Sequence, residues 1–196
     1  MRARTVTGSE VATELVTLVG GGPGHPDFLT LRAEALLAAA ATVVVDAGLV
    51  HLAGEFAPTA AVVTVSDRRA AVDVLLAATS RGPVVRLYAG DTWLHPGHGP
   101  ESAALAAAGI AFEAVAGVAT EIAVPALAGI AVHVRHLAIA CTIADAGHAP
   151  LAGDPGRTLV LVVDNLEAAD PAAVALPTAG AGGLLVTGAV TGMAVR

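Results

Sequence analysis

Leu15-Val16-Thr17-Leu18-Val19 runs directly into Gly20-Gly21-Gly22-Pro23-Gly24, and this junction decides the fold. A short, uninterrupted apolar run of β-branched and leucine residues reads as a buried strand, and a turn that only Gly and Pro tolerate stops it. Thr30 then offers an N-cap, and Leu31, Ala35, Leu36 and Ala39 follow at helical spacing. Ala41 to Val45 forms a second apolar strand. A strand, a helix and a strand in this order predict the parallel-sheet unit of an α/β protein.

The alternation continues along the chain. Arg69 to Ser80 reads as a helix, Pro83 to Leu87 as a strand and Glu101 to Ala108 as a helix ended by Gly109. Phe112 to Val115 is the next strand, and Thr120 to Ala128 a helix ended by Gly129; Leu49 to Thr64 stays ambiguous. Such βα repeats place the chemistry on loops at the carboxyl ends of the strands. Beyond Val132 the rhythm changes, with strands expected at Leu137 to Ile143, Thr158 to Val163 and from Leu184 onward. The division that follows is a lobe over 1–132 and a smaller one over 133–196.

Composition narrows the function. The chain of 196 residues is 55% hydrophobic with only five aromatics, so its core is built from small side chains. Lysine is absent and the net charge is -7, which disfavours a nucleic-acid backbone as partner. One cysteine, Cys141, forms no internal disulfide. With no long apolar run and no signal-like N-terminus, the expectation is a cytoplasmic protein without a membrane partner.

The glycine-rich turn invites a phosphate-binding reading, but its spacing refuses the known versions. The third glycine of a dinucleotide fingerprint falls at His25, and a P-loop needs a lysine. A tight turn that lets strand and helix pack explains it equally well. The pairs His95/His98 and His133/His136 have metal-ligand spacing, yet neither has a cysteine or a clear carboxylate partner at ligand spacing, so they read as cleft or surface histidines.

Val19-Gly20-Gly21-Gly22-Pro23-Gly24-His25-Pro26-Asp27-Phe28-Leu29-Thr30-Leu31 is similar to the opening of the tetrapyrrole methylases, in particular the uroporphyrinogen-III C-methyltransferases. Asp46-Ala47-Gly48-Leu49-Val50 stands where that family has an Asp-x-Leu-Val turn, one residue longer. Val84-Val85-Arg86-Leu87-Tyr88-Ala89-Gly90-Asp91 resembles its Val-Val-Arg-Leu-Lys-Gly-Gly-Asp-Pro element, and Gly109 to Ala131 its next block. In the second lobe, Thr158 to Asp164 and Leu184 to Val190 resemble further strands.

The resemblance implies two α/β lobes, the second reduced, with S-adenosylmethionine in the cleft between them, and a homodimer. It implies a methyl transfer to a carbon of a tetrapyrrole-like small molecule. By position, Pro23, Gly90, Asp91, Gly117, Val118, Ala119, Thr120 and Val163 would line the cofactor, and Asp46 would handle the substrate proton.

The chain also departs from the family's pattern. The Gly-Asp-Pro-Phe-x-x-Gly-Arg-Gly stretch becomes Gly90-Asp91-Thr92-Trp93-Leu94-His95-Pro96-Gly97-His98-Gly99, which loses an Arg suited to substrate carboxylates. Ala119-Thr120-Glu121 replaces Thr-Ser-Ala. The alternative reading is therefore a degenerate, non-catalytic relative serving as partner subunit or scaffold. A third is a module that binds metal or tetrapyrrole through its histidines.

Overall fold

The computed structural model describes residues 16–66, 68–94, 98–133, 140–145 and 157–162. The first strand, β1, spans Val16–Gly20, and the chain continues through α1 (Leu31–Ala39), β2 (Thr42–Asp46), α2 (Val50–Phe56) and β3 (Ala61–Val65). It goes on through α3 (Arg68–Ala78), β4 (Val84–Tyr88), α4 (His98–Ala107), β5 (Phe112–Val115) and α5 (Thr120–Leu127). Strands β6 (Ala140–Asp145) and β7 (Arg157–Val162) follow. The elements expected before Leu184 are therefore present with ends moved by at most three residues, and the ambiguous stretch after Leu49 resolves into α2 and β3. The expected strand from Leu184 lies outside the described residues.

Strands β1 to β5 form one parallel sheet in the order β3-β2-β4-β1-β5. β6 and β7 pair in parallel as a separate sheet, Ala140 opposite Arg157 and Asp145 opposite Val162. Every residue of β1 and β4 is buried, as a central parallel strand covered on both faces requires.

Strand alternation sorts the core into two layers. Val19, Val43, Val45, Val85 and Leu87 pack with Ala33 and Leu37 of α1 and Leu52 and Ala53 of α2. Val16, Leu18, Val44, Val84 and Tyr88 pack with Ala71 and Leu75 of α3 and Leu105 of α4 on the other face.

Thr30 caps α1, its Oγ1 accepting from the Ala33 amide at 3.1 Å. Gly54 sits inside α2 with open space where a Cβ would stand. Gly54→Ala is expected to stabilise the protein by roughly 0.5–1 kcal/mol through the lost backbone freedom of glycine. An upward shift of the urea midpoint checks this.

The layering creates the crevice. β1 and β2 are followed by helices on one face, whereas β4, lying between them, is followed by α4 on the other. Connections that leave neighbouring strands toward opposite faces open a gap at the strands' carboxyl ends, and ligands of open α/β sheets bind there.

Candidate active site

Three loops meet at those strand ends. After β1, Gly21 donates its amide to the Tyr88 carbonyl at 2.7 Å, and Gly22 and Gly90 exchange hydrogen bonds at 3.1 and 2.8 Å. The β1 turn is thereby zipped onto the end of β4. After β5, Gly117 comes so close that a Cβ on it would stand 2.5 Å from the Gly90 carbonyl oxygen and 2.6 Å from the Gly20 carbonyl carbon. A Cβ on Gly20 would in turn stand 2.5 Å from the Gly117 nitrogen. Backbone packs on backbone here, and only glycine permits it.

Asp91 fastens the same junction. Its Oδ1 accepts from the amides of Trp93 at 2.9 Å and Leu94 at 3.1 Å, and its Oδ2 accepts from the Gly117 amide at 3.0 Å. The carboxylate thus turns the chain after β4 and ties it to the loop after β5. Thr92, buried behind it, donates to the Val115 carbonyl at 2.7 Å. Gly90, with φ of 73°, faces Thr120, whose Oγ1 would lie 3.2 Å from an added Cβ.

Pro23, Val118, Ala119 and Thr120 are half-buried around this floor. Ala119 gives α5 no side-chain cap, so the helix opens at the crevice with amide donors that its own cap does not use. Pro23, Gly90, Asp91, Gly117, Val118, Ala119 and Thr120 therefore belong to the junction of three neighbouring strand ends. Val163, assigned to the same site by resemblance, lies outside the described residues.

Asp46, at the end of β2, reaches the same segment from the other side. Its Oδ2 accepts from the Ala89 amide at 3.1 Å and its Oδ1 from Arg86 Nη2 at 2.6 Å, while the side chain stays 34% exposed. A partly exposed carboxylate clamped from behind is held in one orientation and keeps lone pairs for a ligand.

Arg86, Glu101 and Tyr88 are the residues that sequence reasoning missed. Arg86 lies in the middle of β4 and is 3% exposed. Its Nε donates to both oxygens of Glu101 at 3.2 Å, and its Nη1 to the Leu87 carbonyl at 2.9 Å. Its guanidinium carbon lies 4.2 Å from the centre of the Tyr88 ring. Tyr88 donates its hydroxyl to Glu101 Oε2. A charge inside a buried strand was the available signal, because such a charge requires carboxylates from neighbouring elements.

Burial above all, followed by the negative charge and the hydrogen bond of Glu101, pushes the Tyr88 phenol well above its ordinary value, with Arg86 opposing. A raised folded-state value means that the unfolded chain loses this proton first. The stabilisation is complete below about pH 10 and drains away as pH rises further. Tyr88 is the single tyrosine, so phenolate absorbance reports it alone. Native protein is expected to show no phenolate at pH 11, with ionisation appearing only on unfolding, and Tyr88→Phe is expected to flatten the alkaline loss of stability.

Two histidines stand near the β1 turn. His51 of α2 places Nε2 at 2.7 Å from the Gly24 carbonyl, and His25 Nδ1 accepts from the Asp27 amide at 3.2 Å. Among the described residues no group of three or more metal-ligating side chains occurs. His133 is exposed, and His95 and His136 lie outside those residues. Among the described residues no helix is long and apolar enough to cross a membrane.

Known proteins share this fold. The family described as tetrapyrrole (corrin/porphyrin) methylases matches residues 15–177. Uroporphyrin-III C-methyltransferase from Thermus thermophilus is 34% identical, with a TM-score of 0.63 over 76% of this chain and 68% of that one. The same enzyme complexed with S-adenosylhomocysteine gives 34% identity and a TM-score of 0.56 over 65% of this chain and 54% of that one.

Siroheme synthase from Methylococcus capsulatus is 37% identical over 143 residues, which are 68% of this chain and 30% of that protein. The chain thus spans less than a third of that relative's length. The order β3-β2-β4-β1-β5, the glycine junction at its carboxyl edge and the match over residues 15–177 lead to one conclusion: the chain belongs to the tetrapyrrole methylases.

Proposed function

We propose that the chain is an S-adenosylmethionine-dependent methyltransferase that methylates a carbon of a tetrapyrrole precursor. The observation that carries this reading is the convergence on Ala89-Gly90-Asp91. Asp46 accepts from the first of these residues, the β1 turn pairs with the second, and the third grips the Gly117 loop.

The residues present fit S-adenosylmethionine. The glycine junction brings the loops after β1, β4 and β5 together, small half-buried side chains at Val118 and Ala119 beside it suit a flat adenosyl group, and amides at the opening of α5 supply donors. Pro23, Gly90, Asp91, Gly117, Val118, Ala119 and Thr120 would hold it, with Val163 contributed by the second lobe over 133–196. When bound, it supplies a methyl group on an already activated sulfonium.

The work left to the chain is positioning, exclusion of water and the fate of one proton. Asp46 takes the proton that the substrate carbon gives up, and its clamp on Ala89 and Arg86 keeps it at a fixed place beside the cofactor floor. Trp93 and Leu94, 55% and 45% exposed and adjoining Asp91, offer an apolar lip to a flat ring. The protein works in the cytoplasm as a homodimer.

The second reading is a non-catalytic family member acting as partner subunit or scaffold. It draws on the missing Arg near Gly97 and on the changed Ala119-Thr120-Glu121 loop. Incubation with methyl-labelled S-adenosylmethionine and uroporphyrinogen III decides between them. Label in the tetrapyrrole supports the enzyme, whereas a chain that binds the cofactor without labelling any porphyrinogen is the scaffold.

A further inference from the structure

We infer that Glu101 is a positioning residue that acts through Arg86 to hold the Asp46 carboxylate in place, with Tyr88 fixing Glu101 in turn. The inference rests on Asp46 being the group that handles the substrate proton.

The arrangement is costly. Glu101 is fully buried and Arg86 nearly so. Desolvating a carboxylate and a guanidinium is expensive, and a well-packed apolar pair would serve packing as well. This pair does something an apolar one cannot. Arg86 presents Nε to Glu101 on the α4 side and Nη2 to Asp46 at the rim, so one rigid planar fork bridges a buried carboxylate and a partly exposed one.

Asp46 and the Leu87 carbonyl hold only the two Nη ends of that fork. Glu101 fixes it from behind, because both its oxygens take the same Nε. The cluster holds two carboxylates against one guanidinium. Tyr88 satisfies the second carboxylate with a neutral O–H donated to Glu101, while its ring lies against the guanidinium. Tyr88 stands where the family's motif carries Lys, so this chain tethers Glu101 without adding a second cation.

The test is a cycle of Glu101→Gln, Asp46→Asn and the double variant in the full chain. Equilibrium unfolding in urea is read in every case. Glu101→Gln leaves Arg86 with Asp46 as its one anionic partner, so loss of Asp46 then strands a buried charge. The double variant is expected to unfold about tenfold more readily than the product of the single effects, the coupling typical of residues sharing one partner. Single effects that multiply within about twofold overturn the inference. If Glu101→Gln fails to fold, Tyr88→Phe takes its place in the cycle, with an expected coupling of about threefold.

Methyl transfer to uroporphyrinogen III is read alongside. Glu101→Gln is expected to lower kcat about tenfold, with KM and the affinity for S-adenosylhomocysteine held within about twofold, and to have little further effect once Asp46 is Asn. An equal fall in both backgrounds, or one confined to KM, overturns the inference. A wild-type chain that neither binds S-adenosylhomocysteine nor transfers methyl sinks the proposed function instead, and the unfolding cycle still decides whether Glu101 holds Asp46.

Discussion

Replacing Gly117 by alanine is expected to destabilise the protein by about 3 kcal/mol, the upper end for inserting a methyl group into a packed interior. The new Cβ would meet the Gly90 carbonyl oxygen at 2.5 Å and the Gly20 carbonyl carbon at 2.6 Å. These are backbone atoms of strand ends and cannot rotate away as a side chain could. Relief requires the loop after β5 to lift off β4, which stretches the hydrogen bond from the Gly117 amide to Asp91.

Stability and cofactor affinity should therefore fall together, because the same lift moves Val118, Ala119 and Thr120. Urea unfolding and calorimetric titration with S-adenosylhomocysteine measure the two effects. Gly48→Ala is the control, since open space surrounds its Cβ position, and a change within about 0.5 kcal/mol is expected there. Equal behaviour of the two variants would remove the glycine junction from the account.

The second large effect lies under the sheet. Arg86→Met is expected to cost about 3–5 kcal/mol, because it strands Glu101 as an uncompensated buried carboxylate. Arg86→Lys should recover only part of this: a single ammonium cannot span Glu101, Asp46 and the Leu87 carbonyl as the guanidinium does. Adding Glu101→Leu to Arg86→Met should restore most of the stability, since removing both charges removes the desolvation penalty with them. Methyl transfer should stay low in that double variant, with Asp46 no longer held. Urea midpoints rank the variants, and a loss below about 1 kcal/mol for Arg86→Met would contradict a core held by paired buried charges.

Much of this was legible in the sequence for identifiable reasons. β1, β2 and β4 are short, mainly apolar runs stopped by turn residues, so their positions follow chiefly from hydrophobicity, and the Thr30 cap fixes the start of α1. Gly20 to Gly24, Gly90 and Gly117 were visible as glycines, but the sequence could not show that Gly20 and Gly117 touch one another. That contact depends on β1 lying between β4 and β5.

Asp91 carried two compatible readings, as a turn residue and as a cofactor ligand. The structure gives it the hydrogen bonds of the first, to the Trp93 and Leu94 amides, and a further one to the Gly117 amide. Arg86 and Glu101 escaped notice because their pairing spans two elements and appears as no periodicity. α2 and β3 were ambiguous because β3 is an edge strand, largely exposed along Ala61 to Thr64, and lacks the continuous burial that marks its neighbours.

The measurement that tests the central claim most directly is calorimetric titration of the full chain with S-adenosylmethionine and S-adenosylhomocysteine, repeated on Asp91→Ala. The account predicts one site per chain with a dissociation constant of roughly micromolar order. It also predicts binding at least about tenfold weaker in the variant, because the loops after β4 and β5 lose their shared tie. Absence of heat with both ligands, or equal binding by wild type and Asp91→Ala, would contradict a cofactor cleft at the carboxyl ends of β1, β4 and β5.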